Sequence, residues 1–303
     1  MTPAQILERS GLVIVDKPAG MTSHDVVGRL RRFFGTRKVG HAGTLDPMAT
    51  GVLVAGIERG TKFLTFVTGS DKTYATTIAL GVATSTDDAE GEVISTADPA
   101  AVETLSQADI LSAIGNFRGQ IMQRPSSVSA IKVAGQRAYE RVRQGEEVVL
   151  PERPVTIHSY EVGAMRREEG RILIDAVVHC SSGTYIRALA RDLGAALGVG
   201  GHLIALRRLS VGGFDLSHAR TLEQLEQEPT LSLTLDQALP LSYPTVQVTA
   251  QEAADLAMGK WLSPRGLAGI HAAVGPDGKA IALVKESGSR LATVFVARPS
   301  TMS

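Results

Sequence analysis

The stretch Gly40-His41-Ala42-Gly43-Thr44-Leu45-Asp46-Pro47-Met48-Ala49-Thr50-Gly51 sets one carboxylate among glycines, small residues and a proline. A carboxylate held in such a loop can act as nucleophile or base, and glycines let a backbone approach a ligand closely. The same residues also suit a plain turn, in which Asp46 bonds its own backbone and Pro47 fixes φ. Other reactive side chains offer less. The seven histidines are scattered without metal-ligand spacing. There is no Gly-rich phosphate loop before a helix, no His-Glu-x-x-His and no Gly-x-Ser-x-Gly. Cys180 is the single cysteine, which excludes an intramolecular disulfide and a multi-cysteine zinc site and fits a reducing cytoplasm. The reading is no metal and no cofactor.

The elements that must hold this loop follow from hydrophobic periodicity. Gly11 to Asp16 reads as a short buried strand that ends in the turn Lys17-Pro18-Ala19-Gly20. Ser23 is expected to cap a helix whose Val26, Val27, Leu30, Phe33 and Phe34 share one face, with Gly35 as its stop. After the loop comes a strand over Val52–Ile57. Thr73–Leu80 and Arg171–Cys180 alternate as strands, and Thr184–Leu197 reads as a helix. Residues 120–150 interrupt this pattern with Pro125, three serines, Gly135 and a charged helix around Tyr139, an excursion from a sheet domain. Beyond Leu239 the chain resets at Pro240 and Pro244. A short helix near Glu252–Met258 and strands at Ala280–Lys285 and Arg290–Val296 then give a small, mainly-β terminal domain.

At 303 residues with 44% hydrophobic content, the chain suits one large domain plus a smaller one. The first ten residues lack the apolar run of a secretory signal, and no stretch is apolar enough to span a membrane. Lysines and arginines balance acids at 31 each, yet they are not mixed evenly. Arg29, Arg31, Arg32, Arg37 and Lys38 form one basic stripe. Arg118, Arg124, Lys132, Arg137, Arg141 and Arg143 form another, interrupted only by Glu140, while many acids gather after Glu223. Such stripes fit a polyanion partner; the plain alternative is a solvated helix face.

Five motifs in order carry a resemblance: Asp16-Lys17-Pro18-Ala19-Gly20, the Asp46 loop, Lys72-Thr73-Tyr74, Gly183-Thr184-Tyr185-Ile186-Arg187 and Leu206-Arg207-Arg208. Together they resemble the bacterial tRNA pseudouridine-55 synthases, the TruB family, over about Gly11 to Phe214. The resemblance implies an α+β fold: a pseudouridine synthase catalytic domain over 1–238 with a mixed, mainly antiparallel sheet flanked by helices. It also implies an inserted RNA-gripping thumb near 120–150; position and β character point to a C-terminal PUA-like RNA-binding domain over 239–303. It implies an isomerase acting on the T-loop uridine of tRNA by base flipping, without guide RNA, membrane or cofactor, as a cytoplasmic monomer. Asp46, Tyr74 and Arg187 are then the catalytic residues. Lys17, His41, Tyr185 and Leu206 shape the substrate pocket, and Lys132, Arg137, Arg141 and Arg143 grip RNA.

One departure stands out. Where the family usually carries Pro-Pro-x-Tyr-Ser-Ala-x-Lys, this chain has Pro125-Ser126-Ser127-Val128-Ser129-Ala130-Ile131-Lys132. The alternatives are a non-catalytic tRNA-binding or tRNA-folding protein on the same fold, a guide-RNA-dependent synthase, and a metal-dependent RNA hydrolase. The first would lose Asp46 or Arg187, the second lacks the basic excursion, and the third needs a carboxylate cluster.

Overall fold

The computed structural model describes residues 2–126 and 150–302, together with the backbone of 132–133 and 136–137. It divides into two compact units. One comprises Met1–Pro47, Gly51–Thr68 and Ser210–Ser303; the other comprises Met48–Thr50 and Gly69–Leu209.

In the first unit the strand Gly11–Lys17 pairs antiparallel with Thr50–Ile57, bringing Lys17 opposite Gly51, and parallel with Ala219–Arg220. Both central strands are apolar on both faces and nearly sealed from water, as strands covered on two sides must be. The helix Ser23–Phe33 closes one face through Val26, Val27 and Leu30. Its cap differs from the sequence expectation. Thr22, one residue earlier, is the N-cap, because its hydroxyl accepts from the Asp25 amide at 3.1 Å while the Asp25 carboxylate accepts from the Thr22 amide at 2.9 Å. This reciprocal pair satisfies two orphan donors at once, and it leaves Ser23 available for other bonds.

The C-terminal segment forms a four-stranded sheet in the order Thr245–Gln247, Ile270–Val274, Ala280–Ser287, Arg290–Val296. Leu239 lies inside a helix, Leu235–Ser242. Leu283, Phe295 and Ala297 belong to the same buried cluster as Leu12, Val52 and Phe63. The Phe295 ring lies 5.9 Å from that of Phe63 and 6.0 Å from that of Phe66. Arg59 Nε donates to the Ala297 carbonyl at 3.0 Å.

In the second unit the strands run Gly201–Val211, Lys72–Leu80, Arg171–Cys180, Arg153–Glu168, Gly119–Gln123. The last four pair antiparallel. The helix Ile186–Ala196 packs on the strand Lys72–Leu80, and the helix Gln107–Gly115 packs beside it. Glycine is required where helix meets strand: a Cβ on Gly194 would lie 2.2 Å from the Gly200 backbone. Arg153 pairs with Gln123, so the excursion leaves and re-enters the sheet at the matched ends of two neighbouring strands. Within it a two-stranded ribbon sets Lys132 opposite Arg137. The helix expected around Tyr139, with Arg141 and Arg143, lies outside the described residues. Among the described residues no helix is long and apolar enough to cross a membrane.

Candidate active site

Asp46 sits half-buried in the loop between the strands Val39–His41 and Thr50–Ile57. The loop is fixed on both sides of it. On the N-terminal side, Ser23 Oγ accepts from the Leu45 amide at 2.8 Å and donates to the Leu45 carbonyl at 3.0 Å. On the C-terminal side, the Pro47 carbonyl accepts from the Gly20 amide at 2.8 Å and from Lys17 Nζ at 3.2 Å. Gly43 and Gly51 have φ of 87° and 98°, conformations that side chains rarely adopt. These two glycines therefore bend the backbone, which is a more specific role than the close ligand approach their number suggests.

Lys17 is fully buried. Its ammonium also donates to the carbonyls of Met21 at 2.7 Å and Pro18 at 2.8 Å, so it knits the turn after its strand to the Asp46 loop from inside. A buried ammonium is tolerable only with such partners. His41 ends the strand Val39–His41 opposite Ala55. Lys17, His41 and Asp46 are thus gathered within the first unit.

Tyr74, Tyr185, Arg187 and Leu206 belong to the second unit. Tyr74 is buried on its strand opposite Val178. Two residues earlier, Lys72 is also buried, with Nζ 2.6 Å from the Ser70 carbonyl. Burial, reinforced by the positive charge of the fully buried Arg208, pushes the Lys72 ammonium down to about 8. Leu206 lines a cavity of about 650 Å³ together with Thr50, Ala75, Thr77, Val177 and Arg207. Arg207 Nη1 donates to Thr50 Oγ1 at 3.3 Å.

Arg187 lies in the first turn of its helix and is 4% exposed. Its Nη1 meets the Asp88 carboxylate at 3.1 Å and the Thr86 carbonyl at 2.9 Å. Next to it, burial raises the Asp87 carboxyl above its ordinary range, against the pull of Arg191 at 3.1 Å. Tyr185 is held through its backbone: its amide donates to Gln123 Oε1 at 2.8 Å, its carbonyl accepts from Gln123 Nε2 at 3.0 Å, and the Arg153 guanidinium lies 5.0 Å from its ring centroid. Sequence reasoning missed Ser23, Asp88, Gln123 and Arg153. The last two sit at the roots of the excursion, a position that only strand pairing makes visible.

The arrangement is a rigid presentation of one carboxylate in the first unit, and of a buried tyrosine and a buried arginine on adjoining elements of the second. The family model described as TruB family pseudouridylate synthase, N-terminal domain, matches residues 31–186. The tRNA pseudouridylate synthase B C-terminal domain matches 187–239, and tRNA pseudouridine synthase II, C terminal, matches 243–298. Relatives called tRNA pseudouridine synthase B include that of Corynebacterium aurimucosum, 66% identical over 98% of this chain and 99% of its own. That of Nocardia farcinica is 56% identical over 95% of this chain and 94% of its own. Among solved structures, a chain of a Cbf5–Nop10–Gar1 complex superposes with a TM-score of 0.71 at 24% identity, covering 99% of this chain and 88% of that one. The mixed sheet, flanking helices and small terminal β domain are therefore those of a pseudouridine synthase, an isomerase. The chain belongs to the TruB family of pseudouridylate synthases.

Proposed function

We propose that this protein isomerises the T-loop uridine of tRNA to pseudouridine, working without a guide RNA and with Asp46 as nucleophile. The observation that carries the reading is the clamp on both neighbours of Asp46, at Leu45 and Pro47. A carboxylate fixed through its backbone pays little reorganisation at the moment of attack. The relatives' name, tRNA pseudouridine synthase B, supports tRNA as the substrate.

The target nucleotide must leave the stack before it can react, at a cost of a few kcal/mol met by protein contacts. His41 fills the gap left by the base. Tyr74 stacks on the extruded ring with its hydroxyl near the atom that loses a proton, while Arg187 favours the ionised carboxylate. Asp46 bonds to sugar C1′ or to base C6, and the N1–C1′ bond breaks. The base turns, C5 bonds to C1′ and the bond to Asp46 breaks, freeing the carboxylate; C5 gives up its proton and N1 gains one, so no atoms are gained or lost. Leu206 and Tyr185 wall the pocket. Lys132, Arg137, Arg141 and Arg143 grip the T-arm, and the terminal four-stranded sheet reaches RNA beyond the loop.

The test uses a T-stem-loop RNA tritiated at uridine C5, without guide RNA and in EDTA. Release of tritium by the wild type and none by Asp46→Asn is expected. No release from the T-loop RNA by a folded wild-type protein would overturn the proposal.

A further inference from the structure

Three residues far apart in the chain meet on one face of the second unit. Asp71 precedes the strand Lys72–Leu80, His158 lies on Arg153–Glu168 and His179 on Arg171–Cys180. One ligand atom from each falls within 4.8 Å of the other two. His158 Nε2 is 3.1 Å from Asp71 Oδ2, and the two imidazole centroids are 4.8 Å apart.

Strand register explains the meeting. His179 pairs with Thr73 on one side, and side chains two residues apart share a face, so Asp71 projects toward His179. On the other side, Ile157 pairs with Cys180 and Ser159 with His179, which leaves His158 as the extra residue of a β-bulge. A bulge re-aims its side chain, and here it turns His158 onto the face of His179. Lys72, next to Asp71, is buried while Asp71 and His158 remain open to solvent. Its ammonium is held by the Ser70 carbonyl at 2.6 Å, with Asp71 within electrostatic range.

We propose that Asp71, His158 and His179 bind a zinc-class divalent transition metal. Two imidazoles and one carboxylate with an open fourth position match that ion's preference, with bonds of about 2.0–2.2 Å. Tetrahedral bonds of that length place ligand atoms about 3.3–3.6 Å apart, a little beyond the 3.1 Å of His158 and Asp71. The widest separation closes by rotation of Asp71 and His158, whose side chains are open to solvent. Magnesium is disfavoured, since it takes oxygen ligands and keeps its waters. Such an ion would staple two neighbouring strands to the residue that leads into a third. Without it, the His158–Asp71 bond holds the same positions.

The experiment uses full-length protein without a histidine tag, stripped with chelator, then titrated with zinc chloride by calorimetry and with cobalt chloride by visible absorption. One ion per chain should bind with a tetrahedral cobalt spectrum, and zinc should raise the melting temperature by mass action. His158→Ala and His179→Gln should each weaken binding at least about tenfold, as loss of one of three ligands requires. His218 and Asp215 form a comparable pair at 3.1 Å in the other unit, and His218→Ala should leave affinity unchanged. Should a histidine variant fail to fold in a metal-free melt, Asp71→Asn replaces it with the same expected loss. Absence of saturable binding, or binding unchanged by every folded variant of the three, would show an ion pair with a ring contact and nothing more.

Discussion

Lys17 Nζ and the Pro47 carbonyl oxygen lie 3.2 Å apart, tying the residue after Asp46 to a strand end 30 positions earlier. Because Lys17 is fully buried, the bond forms out of reach of water, as do those to Met21 and Pro18. Lys17→Met should strip these carbonyls of a charged donor. Each bond of that kind contributes about 1.5–3 kcal/mol, so a large drop in melting temperature is expected, with faster amide exchange near Leu45. A variant that melts like wild type would show that Lys17 does not hold the loop.

Asp46→Asn preserves shape and removes the nucleophile. Turnover should vanish while tRNA binding stays within a few-fold, read by single-turnover kinetics beside a binding titration. Activity within tenfold of wild type would remove Asp46 from its role.

Tyr74→Phe separates stacking from proton transfer. The ring remains, and stacking contributes roughly 1–3 kcal/mol, so RNA binding should hold. A step relying on the hydroxyl should slow by about 10²–10⁴. Were Tyr74 only core, loss of one hydroxyl would change stability by about 1 kcal/mol and turnover hardly at all.

Lys72 predicts a pH dependence of stability. Its folded pKa, about 8, lies below the ordinary lysine value of 10.5. Between those values the unfolded chain binds more protons, so stability should rise as pH climbs through that window. Denaturant titrations from pH 7.5 to 10.5 test this against Lys72→Met, which should flatten the rise. A wild-type curve that falls across the window would contradict the assignment.

Neutralising Arg137, Arg141 and Arg143 together should weaken tRNA affinity and flatten its dependence on salt. About 0.7–0.9 of a logarithmic slope unit is lost for each phosphate contact removed. An unchanged slope would mean that these cations face only solvent.

The strand Arg171–Cys180, the helix through Val26 and Leu30 and the terminal hairpin could all be read along the chain, because period-two and period-3.6 patterns are local. The motif order likewise marked Asp46, Tyr74 and Arg187 without any coordinates. Tertiary structure alone decided what holds them. Thr22 capped its helix and released Ser23 for the loop, since a cap is won by the residue whose partner three positions on completes the box. Asp88 met Arg187 across 99 positions, and a single extra residue in one strand turned His158 toward His179. Phe295 joined the core of Phe63 although its hairpin looked self-contained. Contacts of this kind depend on strand register and on which face a chain covers, and neither leaves a periodic trace in the residues that make them.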